Sequence, residues 1–401
     1  MYLLEATDSP AAFTTTEAHS GDTTTAWLGS SSMLDKLGVE PDAQVSLPQL
    51  ALALQGCNAV TGERIRREGW IQRHVVAGRG QRERDEQGRP RKERVLGTKS
   101  VDLTFSAPKS VSVVWSQAGR GLRTALESAM IGAAAAMLEC MTLTKPVVAH
   151  QRSLWPARGH AAAAALHAVA RTAQRDLAPS PQLHVHGVVL GVERADGLFA
   201  APELSGLFKH GAPLEGGAAA RAKLAELLVD MGFEIVAGTG QGARFFEIRH
   251  VPPQLIERMS GRTRDVAAGM QRREAAKGRP LTNGERAVIA LETRKPKSSE
   301  TSPAHTAATW RAQAEEFDFG PTTIQALRQG SGFSESLDER ASAVRSAVIG
   351  CLRGREPGVS VGEVRGAVFE CAAGRLRVNE ATALLQEMDR CGELSSGASE
   401  R

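Results

Sequence analysis

The stretch that most constrains this chain runs from Gln182 to Val192: it is apolar and β-branched, the breakers Pro179-Ser180-Pro181 precede it, and Arg194-Ala195-Asp196-Gly197 follows as a turn signal. Such a run predicts a strand. His184 and His186 are two apart within it, so both imidazoles leave the same face about 7 Å apart along the backbone. A single metal ion can bridge two imidazoles placed this way. Taken alone, the pair equally describes two ordinary half-buried histidines.

A second strand is expected in Val101–Val114, where alternation and β-branching flank Pro108; the Ala-Pro step predicts a turn or bulge and then a second short element. Leu122, Leu126, Met130 and Met137 recur at near-helical spacing and predict a helix over Arg120–Met141. Helical periodicity returns over Ala218–Met231 and stops at Gly232, before a short strand pair around Phe233–Val236 and Arg244–Ile248. The first fifty residues, rich in Thr, Ser, Gly and Asp, show no clear period, so much of this segment is expected to be loop. Strands and helices interleaved in this irregular order indicate an α+β class rather than a repeating βαβ sheet.

The 401 residues exceed the size at which a single core stops growing, about 250 to 300, so two units are expected. Pro321–Asp338 reads as a linker, and Glu339–Arg401 as two or three short helices around Ala341–Leu352, Val361–Cys371 and Asn379–Met388. No apolar run is both long and uncharged enough to span a bilayer, and the N-terminus lacks the pattern of a secretory signal, so a cytoplasmic protein without membrane insertion is expected. The five cysteines form no C-x-x-C pair and suggest neither a disulfide framework nor a zinc site. Formal charge is only +4, yet eleven basic residues crowd Arg64 to Arg94. That stretch suits either phosphates or, with its interspersed acids, a solvated loop.

Asp102-Leu103-Thr104-Phe105-Ser106-Ala107-Pro108-Lys109-Ser110-Val111-Ser112 and Pro181-Gln182-Leu183-His184-Val185-His186 together resemble the signature strands of the MobF (TrwC/TraI-type) conjugative relaxases. The first segment agrees over eleven consecutive positions. Further similarities follow in the family's order: Gly232-Phe233, Phe246-Glu247-Ile248, Val251-Pro252-Pro253, Ser260-Gly261-Arg262, and Thr293-Arg294-Lys295-Pro296-Lys297. The resemblance implies a two-layer HUH-type fold around a central antiparallel sheet over 1–320, a linker over 321–338, and a small helical accessory unit over 339–401. It also implies the chemistry: a divalent ion, magnesium or manganese, on three histidines polarises the scissile phosphate of origin-of-transfer DNA while a tyrosine attacks, giving a 5′-phosphotyrosyl link and a free 3′-hydroxyl. Asp102 is the family's aspartate by position, orienting a histidine or assisting proton transfer. Lys109, Arg294, Lys295 and Lys297 are the candidates for holding single-stranded or hairpin DNA by its phosphates.

Two positions depart from the family. Counting about eleven residues back from His184 places Arg171 where the third histidine is expected, and arginine cannot ligate a metal; His167, four residues earlier, is the candidate substitute. The family carries two tyrosine pairs after its first strand, whereas Tyr2 is the sole tyrosine here. Aligned with the first pair, Tyr2 takes its second position and Met1 its first, the second pair becomes Phe13-Thr14 or Thr16-Glu17, and the opening strand is missing. Either that strand and its tyrosine lie upstream, or nicking is impaired. The chain is thus expected to be a metal-dependent DNA nickase with Tyr2 as nucleophile, or a non-catalytic relative that binds DNA. With no G-x-x-x-x-G-K-[ST] in the sequence, unwinding would need a separate helicase, alongside accessory proteins of the relaxosome.

Overall fold

Alternating side chains sort the strands of this chain onto the two faces of one antiparallel sheet. The computed structural model describes residues 4–6, 24–66, 70–74, 84–85, 87–96, 100–143, 148–150, 153–174, 176, 178–203, 212–238, 245–293, 302–330, 332–353 and 360–394. In chain order the strands are β1 (Leu4–Ala6), β2 (Thr25–Gly29), β3 (Trp70–His74), β4 (Lys92–Leu96), β5 (Val101–Ser106), β6 (Val148–His150), β7 (Ser153–Trp155), β8 (His160–Val169), β9 (Pro181–Glu193), β10 (Phe199–Ala200), β11 (Ile235–Ala237) and β12 (Phe246–Ile248). The main sheet runs β1-β5-β9-β8-β2, with β10 also on β9; the pairs β3–β4, β6–β7 and β11–β12 are separate hairpins.

The helices are α1 (Ser31–Leu37), α2 (Leu47–Leu54), α3 (Lys109–Gln117), α4 (Arg120–Leu143), α5 (Ala212–Asp230), α6 (Pro253–Arg258), α7 (Gly261–Lys277), α8 (Asn283–Glu292), α9 (Pro303–Glu315), α10 (Pro321–Leu327), α11 (Leu337–Arg353), α12 (Val361–Ala372) and α13 (Val378–Arg390). Leu103, Phe105, Leu183, Val185 and Val189 turn one face of the sheet toward α4, where they meet Leu126, Met130 and Leu138. Trp27, Ala163, Val188 and Leu190 turn the other way and pack under α1 and α2 with Met33, Leu34, Leu37 and Leu50. Gly187 lets the sheet approach α4 closely, since a Cβ there would stand 3.2 Å from Leu138.

Several expectations need correcting. Among the described residues of the first fifty stand β1, β2, α1 and the start of α2, which the sequence reading did not single out. Ser46 caps α2 through a reciprocal Ser46–Gln49 capping box, a local signal that fixes the helix start. The element after Pro108 is the helix α3. A helix also occupies Pro321–Leu327, inside the expected linker. By length and composition, α4 is long and apolar enough to cross a membrane; Leu126, Met130, Met137, Leu138 and Met141 along it are buried in the main core. The three C-terminal helices fall close to where periodicity puts them. Their core of Val344, Val348, Val368, Leu384 and Leu385 joins Ala218, Ala219 and Ala222 of α5.

Candidate metal centre

Pairing register brings the polar residues of three strands together. On β9, His186 lies opposite Thr104 of β5, and His184 opposite Ser106. On the other side, His184 lies opposite His167 of β8, and His186 opposite Ala165. Asp102, Thr104, His167, His184 and His186 therefore share one face, the one α1 and α2 cover further along. Ala165 leaves room between the rings.

The three imidazoles converge: their centroids are 5.2 Å apart for His167–His184, 4.9 Å for His167–His186 and 5.4 Å for His184–His186. One ligand nitrogen from each ring lies within 4.8 Å of the others. Asp102 Oδ2 stands 2.7 Å from His186 Nδ1. A carboxylate only accepts, so Nδ1 carries the hydrogen and Nε2 is left with its lone pair. The carbonyl of Gln182, 3.0 Å from His184 Nδ1, fixes the same tautomer in that ring. Asp102 Oδ1 is buried and has no hydrogen-bond partner among the described residues. A buried carboxylate beside three converging imidazoles is a donor set that a divalent cation completes, since the cation offsets a charge otherwise expensive to hold there. The three histidines thus fit a divalent metal ion.

Residues 2–317 match the sequence profile of the TrwC relaxase family. The chain belongs to that family. Among solved structures, the metal-free complex of the conjugative relaxase TrwC with oriT DNA is similar with a TM-score of 0.56 at 24% identity, over 80% of this chain and 99% of that one. A metal-bound complex of TrwC with oriT DNA gives the same values, and a copper-bound complex gives a TM-score of 0.55 at 25% identity, over 80% and 98%. No curated protein matches the chain. The TrwC-family match stops at residue 317, short of α10 and the three C-terminal helices.

Within this TrwC-family fold, His167 stands where Arg171 was counted. It is buried, 7% exposed, at the end of β8 and directly across from His184, while Arg171 lies beyond the strand. The opening strand is also present: β1 pairs with β5, Glu5 opposite Asp102. Tyr2 therefore precedes the first strand, whereas the resemblance sets the tyrosines after it. Tyr2, Phe13-Thr14, Thr16-Glu17, Arg294, Lys295 and Lys297 lie outside the described residues.

Lys109 does not stand out into solvent. Its Nζ donates to the Pro181 carbonyl at 2.5 Å and reaches Gln182 Oε1 at 3.4 Å. Burial lowers its pKa to about 7, with Glu247 pulling it up and Arg264 down. Glu247, itself pushed above the usual carboxylate range by burial, accepts from the backbone N–H of Ser110. Within the basic stretch Arg66 is likewise turned inward, its guanidinium donating to the carbonyls of Leu190 and Leu54. Sequence reasoning overlooked Gln182 and Ser112 as parts of the site; both lie inside the two quoted motifs.

Proposed function

We propose that this protein is a metal-dependent relaxase that nicks one strand of origin-of-transfer DNA. The observation that carries the reading is the cluster of His167, His184 and His186 beside Asp102. A divalent ion held there supplies Lewis acidity to the scissile phosphate. Asp102 fixes the tautomer of His186 and aims its ring, and the Gln182 carbonyl does so for His184. Three nitrogen donors suit manganese and other transition ions better than magnesium, which prefers oxygen. Arg294, Lys295 and Lys297 are assigned to backbone phosphates, and the chain acts in the cytoplasm with a separate helicase and accessory proteins.

In the expected transesterification a tyrosine oxygen bonds to phosphorus, the P–O3′ bond breaks, and the 3′-oxygen leaves as a hydroxyl. Tyr2 is the sole tyrosine of the sequence. Incubation of supercoiled origin DNA with Mn2+, followed by denaturing gels for a protein-linked 5′ end, tests the reading; the adduct should disappear in Tyr2→Phe. A second reading, DNA binding without cleavage, is favoured by the position of Tyr2 ahead of β1. It is preferred if Mn2+ and hairpin DNA both bind but no adduct forms.

A further inference from the structure

The segment Ala107–Ser112 clasps the start of β9 at four points. Lys109 Nζ donates to the Pro181 carbonyl at 2.5 Å, and Gln182 Nε2 donates to the Ala107 carbonyl at 3.0 Å. The Ala107 N–H donates to the Leu183 carbonyl at 2.9 Å, and the Leu183 N–H to Ser112 Oγ at 2.9 Å. The next residue, His184, donates from Nδ1 to the carbonyl of the clasped Gln182. The side chains of Lys109 and Ser112 are therefore both spent on one strand end. Its histidine points at the metal centre.

From this geometry we infer that Lys109 is a positioning residue: with Ser112 and Gln182 it latches β9 to the head of α3 and so sets the Gln182 carbonyl that orients His184, and it does not contact DNA phosphate. The latch needs only an N–H aimed at the Pro181 carbonyl, which a lysine supplies in either protonation state. A carbonyl left without its donor in a half-buried site loosens the strand end, and loosening a group that orients a metal ligand typically lowers affinity 10- to 100-fold. A phosphate contact predicts a different signature: loss of one such contact lowers the slope of log K against log salt by about 0.7 for a single strand.

The inference rests on the metal-site reading above, and the test separates the two. Lys109→Met removes the donor, Lys109→Gln keeps a donor without charge, and Ser112→Ala removes a neighbouring clasp. In the full chain, Mn2+ binding is measured by calorimetry, binding of an oligothymidylate is measured across a salt series, and amide exchange is followed at Leu183 and His184. The latch predicts Mn2+ affinity about 10-fold weaker in Lys109→Met and Ser112→Ala, near wild type in Lys109→Gln, and a salt slope unchanged in all three. A slope lowered by about 0.7 in both Lys109 variants with Mn2+ affinity intact would overturn it, as would no change in any variant. If wild type binds no Mn2+, the metal reading fails on its own. The latch is then judged by exchange, which must quicken in Lys109→Met and not in Lys109→Gln.

Discussion

Asp102 touches His186 with one oxygen and leaves the other buried without a hydrogen-bond partner among the described residues, so its role at the site runs through His186. Replacing it by alanine should weaken Mn2+ binding about 10- to 100-fold in a calorimetric titration, with the three imidazoles still present. His167→Ala should do at least as much, because it removes a ligand and not a partner of one. At this scale the sequence was legible where residues are contiguous: His184, His186 and Asp102 all lie in the quoted motifs. His167 was harder to place because its distance from His184 along the chain depends on a loop, whereas its distance in space depends on strand register. Residue type says nothing about direction, and it could not show that Lys109 Nζ meets the Pro181 carbonyl.

Strand β8 shows why one element was hard to anticipate. Its run Ala161–Ala165 has the composition of a helix, yet it lies fully buried between β2 and β9, both of which it pairs with. Small side chains on both faces let helix layers come close, and tertiary pairing overrides local propensity. The edge beside it is sensitive to one glycine. Gly29 has φ +147°, and a Cβ there would fall 2.1 Å from the His160 carbonyl oxygen. Gly29→Ala should therefore cost about 1–3 kcal/mol or more, read as a lowered denaturation midpoint. His160, on the same strand, is held neutral by burial with its pKa lowered to about 4. Between about 6.5 and about 4 the unfolded chain takes up a proton that the folded chain refuses, so stability is full above that window and falls as pH drops through it. The loss reaches at most about 3 kcal/mol. Melting curves from pH 7 to 4 should fall more steeply for wild type than for His160→Gln.

Across the whole molecule, α5 works as a shared wall. Ala220, Leu224 and Leu228 face the relaxase core, while Ala218, Ala219 and Ala222 face the C-terminal helices. Ion pairs stitch the second contact: Arg365 to buried Glu215 at 3.2 Å, and Arg221 to Glu370 at 3.2 Å. Gly366 brings α12 to within 3.4 Å of the α5 backbone, measured from where its Cβ would stand. We therefore propose that α11, α12 and α13 are built into the relaxase body and not hung from a linker. A chain ending at Arg328 should melt lower and bind more hydrophobic dye than the full chain; an unchanged melting curve would make the helices a separable module. The histidine triad has a consequence at this scale too. Its members come from adjacent strands, and a one-residue slip of β9 on β8 would carry His184 and His186 to the α4 side. Only the correctly aligned sheet can take up the ion, so the metal serves as a checksum on folding, drawing chains toward the native register by mass action.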